Sequence, residues 1–382
     1  FSVLPVEILG SAYEQFLGKV IRITPAHHAK IEEKPEVRKA GGVYYTPQYI
    51  VEYIVKNTVG KLIDGKTPKE ISNIKIVDPA CGSGSFLIGA YQYLLDWHKN
   101  YYTDNGKISK GKKDNPLTPD GNLTTSEKKR ILLNNIFGVD IDVNAVEVTK
   151  LSLLLKCLEG ETDASIKQQF RLWNDRVLPT LENNIKSGNS LIDTDFYDTQ
   201  IDFGEEKKIK PFSWQKGFPE VFNQGGFDVV ISNPPWGAQL TDDELSYLRL
   251  KHNSVIVRMI DSYMYFINHS IQLLKIDGSF GMIIPSTFLN QSDMHLIRKL
   301  IVEKFEPQIV INLGEKVFGP KVLNTSTILV FKKSSLKISK IIIGDIRELN
   351  TVEKRLILDT LYTVDNKAWI EIVKADPLST YY

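Results

Sequence analysis

Two kinds of apolar pattern alternate along the chain. Short unbroken apolar runs at 74–78, 136–140, 227–232, 281–285, 309–313 and 326–331 have the length and β-branched content of buried strands, and 183–191 reads as a further strand leading into a turn. Between them the apolar positions recur at helical spacing, at 48–62, 86–97, 142–158, 240–250, 261–275 and 292–305. Residues 3–19 share that spacing, with Gly18 as a stop. Strand–helix alternation of this kind predicts an α/β, doubly wound (Rossmann-like) fold. The sheet is read as seven-stranded and mostly parallel, with a reversed final strand.

Where the pattern lapses, polar segments divide the chain. The charged stretch 27–39 reads as an exposed linker, and 99–130, rich in Lys, Asn, Asp, Gly and Pro, as an inserted solvated loop. The irregular stretch 195–225 carries Phe212, Trp214 and Phe218, which suit the covering of a sheet edge. From Lys337 onward strand-like runs mix with charge. The division that results is a helical connector at 1–40, a catalytic domain at 41–335 and the truncated start of a further region at 336–382.

Composition narrows the class. With 42% hydrophobic and 24% charged residues, the 382-residue chain is an ordinary globular protein. Its net charge of +1 leaves nucleic-acid binding to a local basic face. Two cysteines, Cys81 and Cys157, cannot build a disulfide framework and suit a reducing, cytoplasmic compartment, and no apolar run is long enough for a membrane span. The chain opens at Phe1 without Met, which reads as a piece excised from a longer protein.

Candidate chemistry gathers where predicted strands end. The run 74–78 passes into Pro79-Ala80-Cys81-Gly82-Ser83-Gly84 and then a helix, the strand–glycine-loop–helix unit of a nucleotide site. Leu87 stands where a dinucleotide fingerprint needs its third glycine, and no Gly-Lys-Ser/Thr end is present, so neither NAD nor a phosphate-cradling Walker loop is indicated. Asp140, ending the next strand, is placed to accept from both hydroxyls of a ribose. Thr46-Pro47 reads as an N-cap with proline at the first helical position, either a plain helix start or a carboxylate-binding one. Asn189 sits where it can meet an adenine edge. The run 227–232 stops at Asn233-Pro234-Pro235-Trp236, which no sheet can continue. That turn suits structure alone, or a site in which the Asn amide oxygen and a carbonyl accept from one exocyclic amine beside an aromatic plane.

Taken together and in this order, the motifs resemble those of the gamma-class N6-adenine DNA methyltransferases, over roughly residues 40–333. The opening segment 6–17 resembles the connector of the fused type IIG restriction–modification enzymes. The resemblance implies the S-adenosylmethionine-dependent methyltransferase variant of the doubly wound fold. It implies cofactor contacts from Tyr45, Thr46, Asp78, Ala80, Cys81, Gly82, Gly84, Asp140, Ile141, Asn189, Ser190 and Asn233. Asn233, Pro234, Pro235 and Trp236 are the implied catalytic motif, with Trp236 and Phe318 stacking on the target base. Asn189 departs from the family pattern, which often has Asp there. Only about 40 residues part Asn189 from Asn233, too few for a recognition domain.

The implied activity is site-specific, adenine-specific methyl transfer to duplex DNA in a bacterial or archaeal restriction–modification system, without metal. Nuclease and target-recognition domains are the implied partners on the full-length chain. One alternative is an Asn-Pro-Pro-type methyltransferase of protein glutamine or ribosomal RNA, against which Trp236 and the Thr-Pro motif count. Another is a scaffold subunit without turnover, against which Asp78, Asp140, Asn233 and Trp236 count.

Overall fold

A computed structural model of the chain describes residues 10, 12–13, 19–23, 27–33, 45–105, 115–161, 178–198, 209–253, 261–319, 322–334, 340–358, 361 and 363–365. Near the start, β1 (Lys19–Ile23) and β2 (Ala29–Glu33) pair antiparallel, register Ile21 to Ile31. The linker expected at 27–39 therefore contains a strand. A two-stranded ribbon needs only backbone pairing, so its charged sequence carried no apolar signal. Of the helix expected over 3–19, Gly10, Ala12 and Tyr13 are described and are helical.

The body of the chain then runs in strand–helix order. Helix α1 (Gln48–Val55) continues through a π-helical turn at Lys56–Gly60. There follow β3 (Ile76–Asp78), α2 (Ser85–Asp104), α3 (Thr125–Asn135), β4 (Ile136–Asp140), α4 (Val143–Leu158) and β5 (Ile185–Ser187). The second half holds β6 (Phe227–Ser232), α5 (Asp242–Lys251), α6 (Ser262–Leu273), β7 (Leu274–Pro285), α7 (His295–Lys304), β8 (Glu306–Gly314) and β9 (Ser326–Lys332). Last come β10 (Lys340–Asp345), α8 (Thr351–Ile357) and β11 (Thr363–Asp365).

One sheet joins β3 to β11 in the order β11-β10-β8-β9-β7-β6-β3-β4-β5. Strands β7, β6, β3, β4 and β5 are parallel neighbours, and β9 enters antiparallel between β7 and β8. The α/β class and the reversed strand are as the sequence indicates, but nine strands replace seven. Strand β10 lies parallel to β8, and β11 antiparallel to β10, so the sheet continues past residue 335. Ile341 is fully buried there, which gives the hydrophobic reason for the addition.

The described parts of the polar stretch 99–130, residues 99–105 and 115–130, hold more helix than the composition suggests. Helix α2 runs on to Asp104, and Thr124 caps α3 by accepting from the Glu127 N–H. Tyr102 donates to the Glu127 carboxylate at 2.7 Å, and Arg130 grips the same carboxylate through two nitrogens at 2.8 and 2.6 Å. The charges of those described parts lie largely on helix surfaces and in one part-buried network. Phe212, Trp214 and Phe218 are buried, stacked edge to face or tilted against one another and against Phe227 at the start of β6.

Two features of this frame place the site. First, β4 lies on one side of β3 and β6 on the other, so the chain reverses its direction of travel across the sheet at β3. Such a switch point opens a crevice at the carboxyl ends of the strands. Second, register sets the three strand ends side by side, with Val77 opposite Val230 and Asp78 opposite Gly138. Gly138 has to be glycine, because a Cβ there would come within 2.7 Å of Leu87 and 3.2 Å of Cys81 in the loop above.

Candidate active site

The glycine loop leaving β3 is tied down from three sides. Asp78 Oδ1 accepts from the Ala80 N–H at 3.0 Å and from the Ser232 hydroxyl at 2.6 Å. Burial raises the Asp78 carboxyl to about 7, against the opposing pull of those two hydrogen bonds. The Cys81 N–H donates to Val139 O at 3.0 Å, and Thr149 donates to Gly82 O at 2.7 Å. Gly84 holds φ +90° at the start of α2, and a Cβ there would sit 2.9 Å from Thr149 Cγ2. The Cys81 thiol is buried and its ionisation pushed well up, so it is a packing residue and no nucleophile.

At the end of β4 the carboxylate of Asp140 accepts from Gly82 N–H and Asp142 N–H, both at 2.8 Å. It therefore joins the loop to the following helix, which Asp142 caps through the Asn144 N–H. Burial raises Asp140 to about 6. Asp140 itself is half-buried, and Ile141 beside it is 46% exposed. Tyr13 donates to Asp142 at 3.4 Å, and Lys210 donates to Ile141 O at 2.9 Å. Asn189 turns its side-chain oxygen back to Leu191 N–H at 3.1 Å, and Ser190 donates to the Pro79 carbonyl. Ser190 thus braces the glycine loop from the β5 side, while Asn189 closes its own turn.

The Asn233–Trp236 turn stands across the crevice. Thr46 is not the N-cap of α1: Pro47 occupies that position, and the Thr46 hydroxyl instead accepts from Asn233 Nδ2 at 3.1 Å. Thr46 is buried, and Tyr45 beside it half-buried. Asn233 Oδ1 is buried and unpartnered among the described residues. The Pro235 carbonyl accepts from Ser262, while the Pro234 carbonyl has no partner among the described residues. Trp236 is 9% exposed and meets Phe318 edge to face, ring centroids 5.2 Å apart at 79°. Residues 41–44 of the upstream motif lie outside the described residues.

The named residues thus meet along one strand edge, except that Asn189 spends its side chain on its own turn and Ser190 on the loop. Ser232, Thr149, Tyr13 and Lys210 went unnoticed in the sequence. Ser232 adjoins Asn233 and was within reach of a register argument, whereas the other three touch the site only through tertiary packing. Among the described residues no group of three or more His, Cys, Asp or Glu side chains is placed to hold a metal ion, and no helix is long and apolar enough to cross a membrane.

The switch point, glycine loop and reversed strand define the S-adenosylmethionine-dependent methyltransferase variant of the doubly wound fold. Residues 134–318 match the family model described as Eco57I restriction-modification methylase. Over 379 residues the chain is 35% identical to the type II restriction enzyme and methyltransferase RM.Eco57I of Escherichia coli, covering 97% of this chain and 36% of that protein. The fold is shared with a solved DrdV–DNA complex, at TM-score 0.59 and 15% identity over 94% of this chain and 32% of that one. It is also shared with the methyltransferase subunit of a type I restriction-modification system from Streptococcus thermophilus, at TM-score 0.50 and 16% identity, covering 98% of this chain and 58% of that one. These matches agree with the resemblance read in the motifs: the chain is similar to restriction–modification methylases. It spans little more than a third of the length of curated relatives it matches.

Proposed function

We propose that this chain is the methyltransferase region of a restriction–modification enzyme and methylates N6 of an adenine flipped out of duplex DNA. The observation that carries the reading is the orientation of Asn233. Its NH2 is committed to Thr46, so its oxygen is left buried and unpaired beside the glycine loop. An unpaired buried acceptor costs about 1–3 kcal/mol, which an incoming donor recovers. With the Pro234 carbonyl, Asn233 Oδ1 supplies the two acceptors that an exocyclic amine needs.

The residues present fit S-adenosylmethionine. Gly84 gives the loop a left-handed turn packed on Thr149 that a side chain would disturb, and half-buried Asp140 accepts only one hydrogen bond on each oxygen, leaving acceptor capacity for hydroxyls. Asp140 would hold the ribose hydroxyls, Ile141 and Asn189 the adenine, and Tyr45 and Thr46 the methionine carboxylate. The bound cofactor supplies an electrophilic sulfonium methyl group. Asn233 and Pro234 accept the two amine hydrogens, draw the nitrogen out of conjugation with the ring and hold its lone pair toward the methyl. Reaching N6 requires the base to leave the duplex. Trp236 and Phe318 offer it aromatic surface, worth about 1–3 kcal/mol per stacked base.

Target recognition and any nuclease activity are assigned to other parts of the full-length protein, since base contacts, not phosphate contacts, set sequence choice. The test is product analysis: the protein is incubated with labelled S-adenosylmethionine and separately with plasmid DNA, ribosomal RNA or protein. Label in N6-methyladenine from DNA is the result expected. Label in glutamine or in RNA, with none in DNA, would overturn the assignment.

A further inference from the structure

We propose that Asp261 and Ser262, at the start of α6, are positioning residues that hold the Asn233–Trp236 turn in its working shape, a role that rests on the adenine-methylation reading. Two consecutive prolines contribute no N–H groups, so the backbone of this turn is held through its carbonyls and the N–H groups that follow. Both kinds of group are met by α6. The Ser262 hydroxyl donates to Pro235 O at 2.6 Å and accepts from the Ala238 N–H at 3.2 Å. Asp261 Oδ1 accepts from the Gly237 N–H at 2.7 Å, where the backbone is in the left-handed region at φ +67°.

The placing of Asp261 is the telling detail. It occupies the N-cap of α6, where an aspartate ordinarily accepts from its own helix, yet it makes no side-chain cap. Its carboxylate serves the neighbouring turn instead. The helix behind it is a firm support: Tyr263, Met264, Tyr265 and Ile267 are fully buried, and Tyr263 reaches Thr287 and Met294 across the core. By engaging the Pro235 carbonyl, Ser262 also decides which proline carbonyl is left to accept, namely that of Pro234.

Amide hydrogen exchange in the full chain tests this without requiring turnover. Asp261→Ala and Ser262→Ala should speed exchange at Gly237 and Ala238 by at least about ten-fold while β7 and the cofactor loop keep wild-type protection. Asp261→Asn retains an acceptor oxygen and should restore most of the protection at Gly237. In steady-state assays on plasmid DNA, Asp261→Ala should lower kcat by about ten-fold or more with the S-adenosylmethionine Kd unchanged, and Asp261→Asn should recover it. Unchanged exchange at 237–238 in both alanine variants would overturn the clamp. An active wild type with unchanged kcat in Asp261→Ala would overturn its positioning role. A wild type that binds S-adenosylmethionine but makes no N6-methyladenine would overturn the functional reading instead, leaving the exchange result to judge the clamp.

Discussion

Asn233 owes its role to a partner nearly 190 positions away in sequence, since Thr46 fixes which end of its amide faces the crevice. The motif itself was legible because proline chemistry forces a turn wherever it occurs. The partner was not, because Thr-Pro suits a helix cap as well as an inward hydroxyl, and only the folded chain separates the two. Asp140 shows a similar limit. Its strand-end position was readable, but not that Gly82 and Asp142 already claim one lone pair on each oxygen. Ribose hydroxyls need the ionised carboxylate, and burial raises its pKa to about 6. Cofactor affinity should therefore hold above that pH and fall by up to about ten-fold per unit below it. Titration calorimetry at pH 5 and pH 7.5 checks this, and Asp140→Asn should bind weakly at both.

At the scale of elements, apolar runs gave every central strand, while helices with charged surfaces passed for loops. The stretch 99–130 misled because its described polar residues, such as Lys99, Asn122 and Lys129, sit on or beside α2 and α3, and their density hid the apolar positions Tyr102 and Ile131 that those helices bury. Strands β10 and β11 were visible as strand-like runs past Lys337, but the charge around them assigned them to a further region and not to this sheet, where β10 pairs with both β8 and β11. The loop between β3 and α2 was the most transparent element, since glycine spacing reports directly on backbone shape. Gly84→Ala should expose that requirement. It forces a side chain into φ +90° and against Thr149, a strain of about 1–3 kcal/mol. The expected outcome is a lowered melting temperature and lost cofactor binding by calorimetry. Combining it with Thr149→Ser, which removes the methyl in the way, should recover part of the stability.

For the molecule as a whole, the two acids at the strand ends set a pH signature. Asp78 and Asp140 have folded pKa values of about 7 and about 6, raised above the ordinary carboxylate value by burial. Groups raised in this way stabilise the fold fully below the unfolded pKa, and that contribution is lost as pH climbs from about 4 to about 7. Buried His252 and His269 act in the opposite sense, lowered to about 4 and about 3, so their contribution is lost as pH falls below about 6.5. Urea unfolding from pH 5 to pH 8 should separate the two. Asp78→Asn keeps an acceptor for Ala80 and Ser232 and should remove the loss between about pH 6 and pH 7, leaving the Asp140 and histidine contributions in place.

The sheet brings the glycine loop, Asp140 and the Asn-Pro-Pro-Trp turn to neighbouring strand ends, and the proposed chemistry depends on Asn233 as an acceptor. Asn233→Ala tests that dependence most directly, with two quantities measured on the same preparation: the S-adenosylmethionine Kd by calorimetry, and N6-methyladenine formed in plasmid DNA by mass spectrometry of digested nucleosides. The predicted result is a Kd within about two-fold of wild type and a methylation rate lowered by about 10²–10³, as for loss of one preorganised transition-state hydrogen bond. Methylation of adenine by Asn233→Ala at the wild-type rate would contradict the mechanism.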